Sequence, residues 1–309
     1  MPHPNTIIHI GFPKTATTWF QYNFFPYVSN AFFLPRAEIL RPLVLSQNPL
    51  LFSGEEVKKV INKQFTQNQK ELFILSDEGF LARNFFQIKD FAYRIKSLVE
   101  NPQIVIFIRN QKTMLSSMYS QYLKSNGGTY NLKYYLFGHP RVTKWTNATS
   151  FDNMSLLKYD VIIQFYKELF GKSNIHIFLY EDFIKDPKKF CEKFSKKFNF
   201  QIDLNKLSYG KKNEGIRSGL IFLQRFLNSF TAGPKYEKHY IWHIPYMLSI
   251  SFRTIKILNR FKIFGNSIKI HNHLSKKDYN TVLDYYRETN RNLIIKHNIK
   301  GIEEHKYPI

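Results

Sequence analysis

Thr6-Ile7-Ile8-His9-Ile10 runs straight into Gly11-Phe12-Pro13-Lys14-Thr15-Ala16-Thr17-Thr18-Trp19, and this junction decides the fold. Five residues rich in isoleucine and closed by a glycine predict a short buried strand. Residues 11–19 predict a tight turn and then the first turn of a helix. Small residues at such a turn let backbone N–H groups approach an anion, and the helix N-terminus adds partial positive charge. Three threonines bring hydroxyl donors and Lys14 brings a full charge. The loop is not a Walker A sequence, which reads Gly-x-x-x-x-Gly-Lys-Ser/Thr. Here no glycine directly precedes the lysine, and Lys14 comes early. On these residues alone the junction is a phosphate cradle or a threonine-rich cap on a buried strand.

Outward from it, residues 71–75, 104–108 and 175–179 repeat the pattern of a short apolar run bounded by polar or turn residues. Helical patterns lie between. Ser53-Gly-Glu-Glu56 is a capping box opening a helix to about Gln67. Residues 88–99 place Phe91, Ile95 and Leu98 on one face, and a helix over 111–125 stops at Gly127-Gly128. Asp186-Pro187 sets a cap and an N1 proline for a helix through Phe198. Strands alternating with helices predict an α/β fold: a P-loop-like, mainly parallel sheet flanked by helices. Past about residue 200 the strand signals fade, and residues 216–230, 246–261 and 277–297 read as helices, the last capped by Ser275. The expectation is one domain over 1–309, with an α/β core at 5–215 and a helical C-terminal portion at 216–309.

Composition bounds the function. The chain has 309 residues, is 43% hydrophobic and 17% aromatic, which fits a folded globule. Its 45 Lys+Arg against 23 Asp+Glu leave a net charge of +22, favouring anionic partners: a phosphorylated cofactor, an acidic glycan, a membrane surface or, as an alternative reading, nucleic acid. A solvated lysine-rich surface accounts for part of that excess. Nucleic-acid binding is not expected, because no helix-turn-helix, zinc-finger or RNP signature is present and the basic residues are dispersed. Cys191 is the only cysteine, excluding an internal disulfide and a cysteine-based zinc site. The apolar start is too short for a signal peptide, and no uncharged apolar run reaches roughly 18 residues. The expected address is cytoplasmic, with peripheral contact at the inner face of the membrane allowed.

A second signature joins the first. Residues 104–108 run into Arg109-Asn110-Gln111-Lys112-Thr113, and Ser117 follows eight residues after Arg109. Arginine at the carboxyl end of a strand offers a rigid fork to phosphate oxygens. Together, Pro13–Trp19 and Arg109…Ser117 resemble the family of sulfotransferases that use 3′-phosphoadenosine 5′-phosphosulfate (PAPS), whose loop reads Pro-Lys-Ser/Thr-Gly-Thr-Thr-Trp. Ala16 stands where the family has glycine, a change expected to be tolerated if the local φ is negative. The resemblance implies that Lys14, Thr15, Ala16, Thr17, Thr18 and Trp19 hold the 5′-phosphosulfate, and that Arg109 and Ser117 hold the 3′-phosphate. Leu179-Tyr180-Glu181-Asp182-Phe183 with Asp186-Pro187 is similar to a structural strand–helix unit of the family. Lys211-Lys212-Asn213-Glu214-Gly215 falls where members close a basic loop over the nucleotide, so Lys212 and Asn213 are either cofactor-binding or a solvated pair. The similarity covers most of residues 5–215 and a terminal segment.

The implied reaction moves a sulfuryl group from PAPS to a hydroxyl or amine by in-line displacement, with Lys14 stabilising the departing oxygen and no metal required. The expected base is Glu78, beyond the strand 71–75, because ligands bind at the carboxyl ends of parallel strands. Glycan sulfotransferases place a glutamate similarly, which makes a glycan or glycolipid the expected acceptor. Glu78 as a structural carboxylate paired with Arg83 or Lys14 is the alternative, and His139 is a rival base. Leu72-Phe73-Ile74-Leu75-Ser76-Asp77-Glu78 also mimics a Walker B strand, which keeps a P-loop nucleotide kinase or ATPase as the competing enzyme class. Residues 247–261 pattern Met247, Ile250, Ile257, Leu258 and Phe261 against Arg253, Lys256 and Arg260. Such a helix either lies in an anionic membrane interface or packs its apolar face on the core.

Overall fold

The computed structural model of the chain describes residues 5–82, 87–138, 152–210, 215–231 and 240–309. They form two compact units, each discontinuous in sequence: Met1–Arg109, Tyr159–Gly210 and His297–Gly301, and Asn110–Lys158, Lys211–Lys296 and Ile302–Ile309. The expectation of one domain over 1–309, with its internal boundary at 215, is a division along the chain; these units are interleaved.

The first unit holds a parallel sheet: β1 (Asn5–Gly11), β2 (Ala31–Phe33), β3 (Leu72–Ser76), β4 (Gln103–Ile108) and β5 (Ile175–Leu179), in the order β2-β3-β1-β4-β5. Four of these strands match the apolar runs in the sequence to within a residue or two. β2 was not expected: three residues carry no readable period, and only pairing with β3 makes them a strand. β1, β3 and β4 are buried on both faces, as a parallel sheet covered by helices requires.

One face is aromatic. Helix α1 (Thr17–Asn23) brings Phe20, and the turn after it Phe24 and Phe25, while the helix Pro187–Phe198 presents Phe190, Phe194 and Phe198 at four-residue intervals. These rings close over Ile7, Ile74, Val105 and Phe107 of the sheet. Burying each contributes about 1.5–3 kcal/mol. Helix α2 (Gly54–Asn68) starts at the expected cap, Ser53 Oγ accepting from the Glu56 N–H. Helix α3 (Gly79–Ala82) follows β3, and helix α4 (Ile88–Leu98) packs with the helix Tyr159–Phe170, which lies on β5. A π-helical segment, Arg36–Leu45, precedes α2; its N–H groups reach back five residues, from Leu40 to Pro35 and from Ser46 to Arg41.

The described elements of the second unit are helical. Helix α5 (Gln111–Ser125) begins at Asn110, whose side chain accepts from the Lys112 N–H, and it ends in an Asn126-Gly127 turn with Gly127 at φ 63°. A side chain at Gly128 would put its Cβ 2.1 Å from the Tyr122 ring, so only glycine fits there. Gln111 and Asn290 exchange two hydrogen bonds between α5 and the long helix Lys276–Ile295. That helix is capped by Ser275 Oγ, which accepts from the Asp278 N–H at 3.0 Å. Helices Ile221–Asn228 and Met247–Leu258 lie in the same unit, each shorter than its sequence period suggests. Among the described residues no helix is long and apolar enough to cross a membrane.

Candidate anion-binding site at the sheet edge

After β1 the chain turns toward β2 on one side of the sheet, and after β3 it crosses to β4 on the other. The strand order therefore reverses between the carboxyl ends of β1 and β4, the place where open α/β sheets bind ligands. The loop 11–16 and Arg109 sit at this point, one following each strand.

The loop is held from within. Gly11 has φ 98°, and a Cβ there would meet Glu78 Cα at 3.2 Å, so glycine serves both the backbone angle and the close approach. Phe12 is buried, its N–H donating to the Phe107 carbonyl of β4 at 3.1 Å and its ring 4.8 Å from that of Tyr159. The Phe12 carbonyl accepts from Thr15 Oγ1 at 2.5 Å and Thr17 Oγ1 at 3.0 Å. Two of the three threonine hydroxyl protons are therefore engaged in shaping the turn, and Thr18 is exposed. Thr15 and Thr17 offer an anion backbone N–H groups rather than hydroxyl protons. Lys14 and Ala16 both adopt φ 64°. The condition under which alanine was expected to replace glycine freely, a negative φ, is not met. Ala16 carries left-handed strain of roughly 1–2 kcal/mol. No side chain caps α1 among the described residues, so its first N–H groups face the loop. Trp19 is a fastener: its indole N–H donates to the Ser208 carbonyl at 2.8 Å and its ring stacks on Tyr209.

Arg109 closes the arrangement. Its Nη1 donates to the Lys14 carbonyl at 2.9 Å, and its guanidinium lies 4.5 Å from the Tyr180 ring centroid. The Tyr159 hydroxyl donates to the Arg109 carbonyl at 2.7 Å. The guanidinium is thus fixed against the Lys14 backbone, near enough for the two cations to repel. Burial first, and the neighbouring Arg109 charge second, hold the Lys14 ammonium below its ordinary pKa, while Glu78 opposes them. The negative charge of an anion arriving here would oppose both effects.

Behind the loop lies a network with no local signal in the sequence. Asp77 is fully buried; its Oδ2 accepts from Arg36 Nε at 2.8 Å and Arg41 Nε at 2.7 Å, and its Oδ1 from the Gly79 N–H at 2.7 Å. Glu78 Oε2 accepts from Gln21 Nε2 at 3.2 Å, and its Oε1 stands 3.8 and 3.9 Å from Arg36 and Arg41. Arg36 also donates through Nη1 to Gln21 Oε1. Gln21 Nε2 reaches Ser76 Oγ at 3.1 Å, which in turn meets His9 Nδ1 at 2.8 Å. His9 is ringed by Phe20, Phe25 and Phe107, and burial pushes its imidazole down to about 3, so it is neutral. The Glu78 side chain keeps 27% exposure. Among the described residues Gln21, Arg36 and Arg41 bind it, and its charge also reaches Lys14; the Arg83 pairing considered from the sequence lies outside them. With both Asp77 oxygens engaged, the Walker B likeness of 72–78 has no free aspartate to offer a magnesium ion.

Of the residues expected at the site, the first unit brings Lys14, Thr15, Ala16, Thr17, Thr18, Trp19, Glu78 and Arg109 to one edge of the sheet. Ser117 belongs to the second unit, partly buried on α5. Arg83, His139, Lys212 and Asn213 lie outside the described residues. Gln21, Arg36, Arg41 and Tyr180 are the additions that sequence reasoning missed; Arg36 and Arg41 arrive from a π-helical segment that no periodicity announces.

No family model matches the chain, and no curated protein matches it. Among solved structures, a sulfotransferase from Alicyclobacillus acidocaldarius is similar with a TM-score of 0.48 and 13% identity, over 74% of this chain and 94% of that one. Mouse sulfotransferase SULT7A1, complexed with PAP, is similar with a TM-score of 0.44 and 14% identity, over 97% of this chain and 88% of that one. At these scores neither likeness bears on function.

Proposed function

We propose that this protein is a sulfotransferase that takes a sulfuryl group from PAPS and passes it to a hydroxyl or amine. The observation that carries the reading is the hydrogen bond from Arg109 to the Lys14 carbonyl. It joins two sequence signatures 95 residues apart at the switch point of the sheet. Each signature alone is a phosphate contact; fixed together, they suit a nucleotide with phosphate at both ends. The donor set fits such a group: a desolvated ammonium, a guanidinium held by a backbone carbonyl and an aromatic face, and uncapped N–H groups at the start of α1.

PAPS supplies the activated sulfuryl group, and no metal is called for. The chain supplies position and charge. Lys14 stabilises negative charge growing on the departing phosphate oxygen, and the rigid loop holds that charge without reorganisation. Arg109 anchors the 3′-phosphate; the resemblance adds Ser117, Lys212 and Asn213 as candidate contacts, the last two outside the described residues. Glu78 takes the acceptor proton: it is at the carboxyl end of β3, partly exposed, against Gly11, and oriented by Gln21, Arg36 and Arg41. A glycan or glycolipid acceptor follows from the basic chain and a carboxylate base.

Calorimetric titration with 3′-phosphoadenosine 5′-phosphate tests the donor site. Wild type should bind it, and Lys14→Ala and Arg109→Ala should each weaken binding at least tenfold; no binding by wild type sinks the proposal. Turnover tests the base. Glu78→Gln should lose about 10²–10⁴-fold in kcat while keeping nucleotide affinity, and unchanged turnover would leave Glu78 a purely structural carboxylate.

A further inference from the structure

Helices Ile221–Asn228 and Met247–Leu258 of the second unit pack on each other, and the stripe between them is polar. Gln224, Asn228 and Ser251 are fully buried and Asn259 nearly so. Gln224 Nε2 donates to Asn228 Oδ1 at 2.8 Å and to Ser251 Oγ at 2.6 Å. Asn228 Nδ2 donates to the carbonyls of Leu123 and Gly128, and Asn259 Nδ2 to that of Gly215. The outward faces are apolar. Phe226 and Ile250 are 50% exposed and Ile257 56%, with Phe222 and Phe261 also exposed. Trp242, 73% exposed, is held beside the pair by backbone bonds from Ile241 and Ile244 to the carbonyls of Ser229 and Phe230. A surface helix in water turns its apolar side inward. This pair keeps Ile255 inside with its amides but turns Phe222, Phe226, Ile250 and Ile257 outward, which suits contact with hydrocarbon.

Charge selects the partner. Residues 215–275 carry nine lysines and arginines and one acidic residue, Glu237. Ile250, Ile257 and Phe261 recur at helical intervals along one line, and Arg253, Lys256 and Arg260 run beside it. A groove of about 300 Å³ flanks the helix, lined by Lys124, Ser125, Leu248, Ser249, Phe252 and Arg253. Two cationic heads, two hydroxyls and two apolar side chains suit a phosphodiester headgroup and the start of its acyl chain. We infer that the face carrying Phe222, Phe226, Trp242, Ile250 and Ile257 docks on an anionic lipid bilayer. Helices of 8 and 12 residues fall short of the roughly 20 needed to span, so the pair lies in the interface. Tryptophan is at home at that depth. A second copy of the chain is the poorer occupant, because an isologous contact would set this basic face against itself.

Co-sedimentation of the full chain with vesicles tests it. The protein should pellet with phosphatidylcholine vesicles containing phosphatidylglycerol, remain free with phosphatidylcholine alone, and be released by salt. Arg253→Gln/Lys256→Gln/Arg260→Gln should weaken binding about a hundredfold. Phe226→Ser/Trp242→Ser/Ile257→Ser should weaken it at least tenfold with an unchanged melting temperature. Both variants should keep wild-type affinity for 3′-phosphoadenosine 5′-phosphate, so this inference and the donor-site reading fail separately. Wild type that stays in the supernatant overturns the inference, as does an apolar variant that binds like wild type. A stable dimer abolished by the same apolar substitutions overturns it in favour of a second copy.

Discussion

The sheet edge of the first unit and the helix pair of the second both bury polar side chains, and they do so by opposite means. At the sheet edge the buried groups are charged: Asp77 is inaccessible, yet two guanidiniums and a backbone N–H occupy its oxygens. The surrounding space is filled by phenylalanine rings turned inward. Between Ile221–Asn228 and Met247–Leu258 the buried polar groups are neutral amides and a hydroxyl, bonded to each other and to carbonyls beside the buried Ile255, with Gln224 Oε1 unpartnered, while Phe222, Phe226, Ile250 and Ile257 face out. Burying a charge costs far more than burying an amide, so the first arrangement needs matched ions and the second only hydrogen bonds. The contrast shows that a residue's polarity does not assign its side. Its partners do.

Three substitutions sharpen the comparison. The largest loss should come from Asp77→Ala, which leaves Arg36 and Arg41 without their shared carboxylate; urea unfolding should show a destabilisation of about 3 kcal/mol or more. A value under 1 kcal/mol would mean that the two arginines simply turn to solvent. Asn228→Ala removes the donor to two carbonyls and should cost about 1–3 kcal/mol, measured the same way. If it costs nothing, the polar stripe of the helix pair is incidental rather than what fixes its orientation. Ala16→Gly is the smallest and has the opposite sign. Relief of the left-handed strain, less the extra freedom of glycine in the unfolded chain, should stabilise by roughly 0.5–1 kcal/mol. A lower melting temperature would show that the loop relaxes around alanine.

Much of the first unit was legible because its signals are local. A parallel strand buried on both faces must be a short apolar run, which is why β1, β3, β4 and β5 stand out, while the three residues of β2 are too few to carry a pattern. Caps are equally local: Ser53, Asp186 and Ser275 accept from N–H groups three residues ahead, and their helices begin where those side chains predict. The loop 11–16 could be read for its residue types, but not for its inner bonds. That Thr15 and Thr17 give their protons to Phe12, and that Ala16 is left-handed, depends on how the turn closes against β4 and Glu78.

By itself, then, the sequence determined the α/β sheet with its helices, and it marked Pro13–Trp19 as a candidate anion loop and Lys14 with Arg109 as candidate phosphate ligands. The sheet follows from spacing and propensity within a few residues of each position; the phosphate roles of Lys14 and Arg109 are what the resemblance implies. Only the tertiary structure decided which groups hold Glu78, that Asp77 is locked between Arg36 and Arg41, and that Met247–Leu258 turns its apolar line outward. Each of these depends on contacts between segments tens of residues apart, and a helix with two unlike faces cannot say which one its neighbours will cover. The amides of Gln224 and Asn228, by finding partners inside, left Phe222 and Phe226 outside.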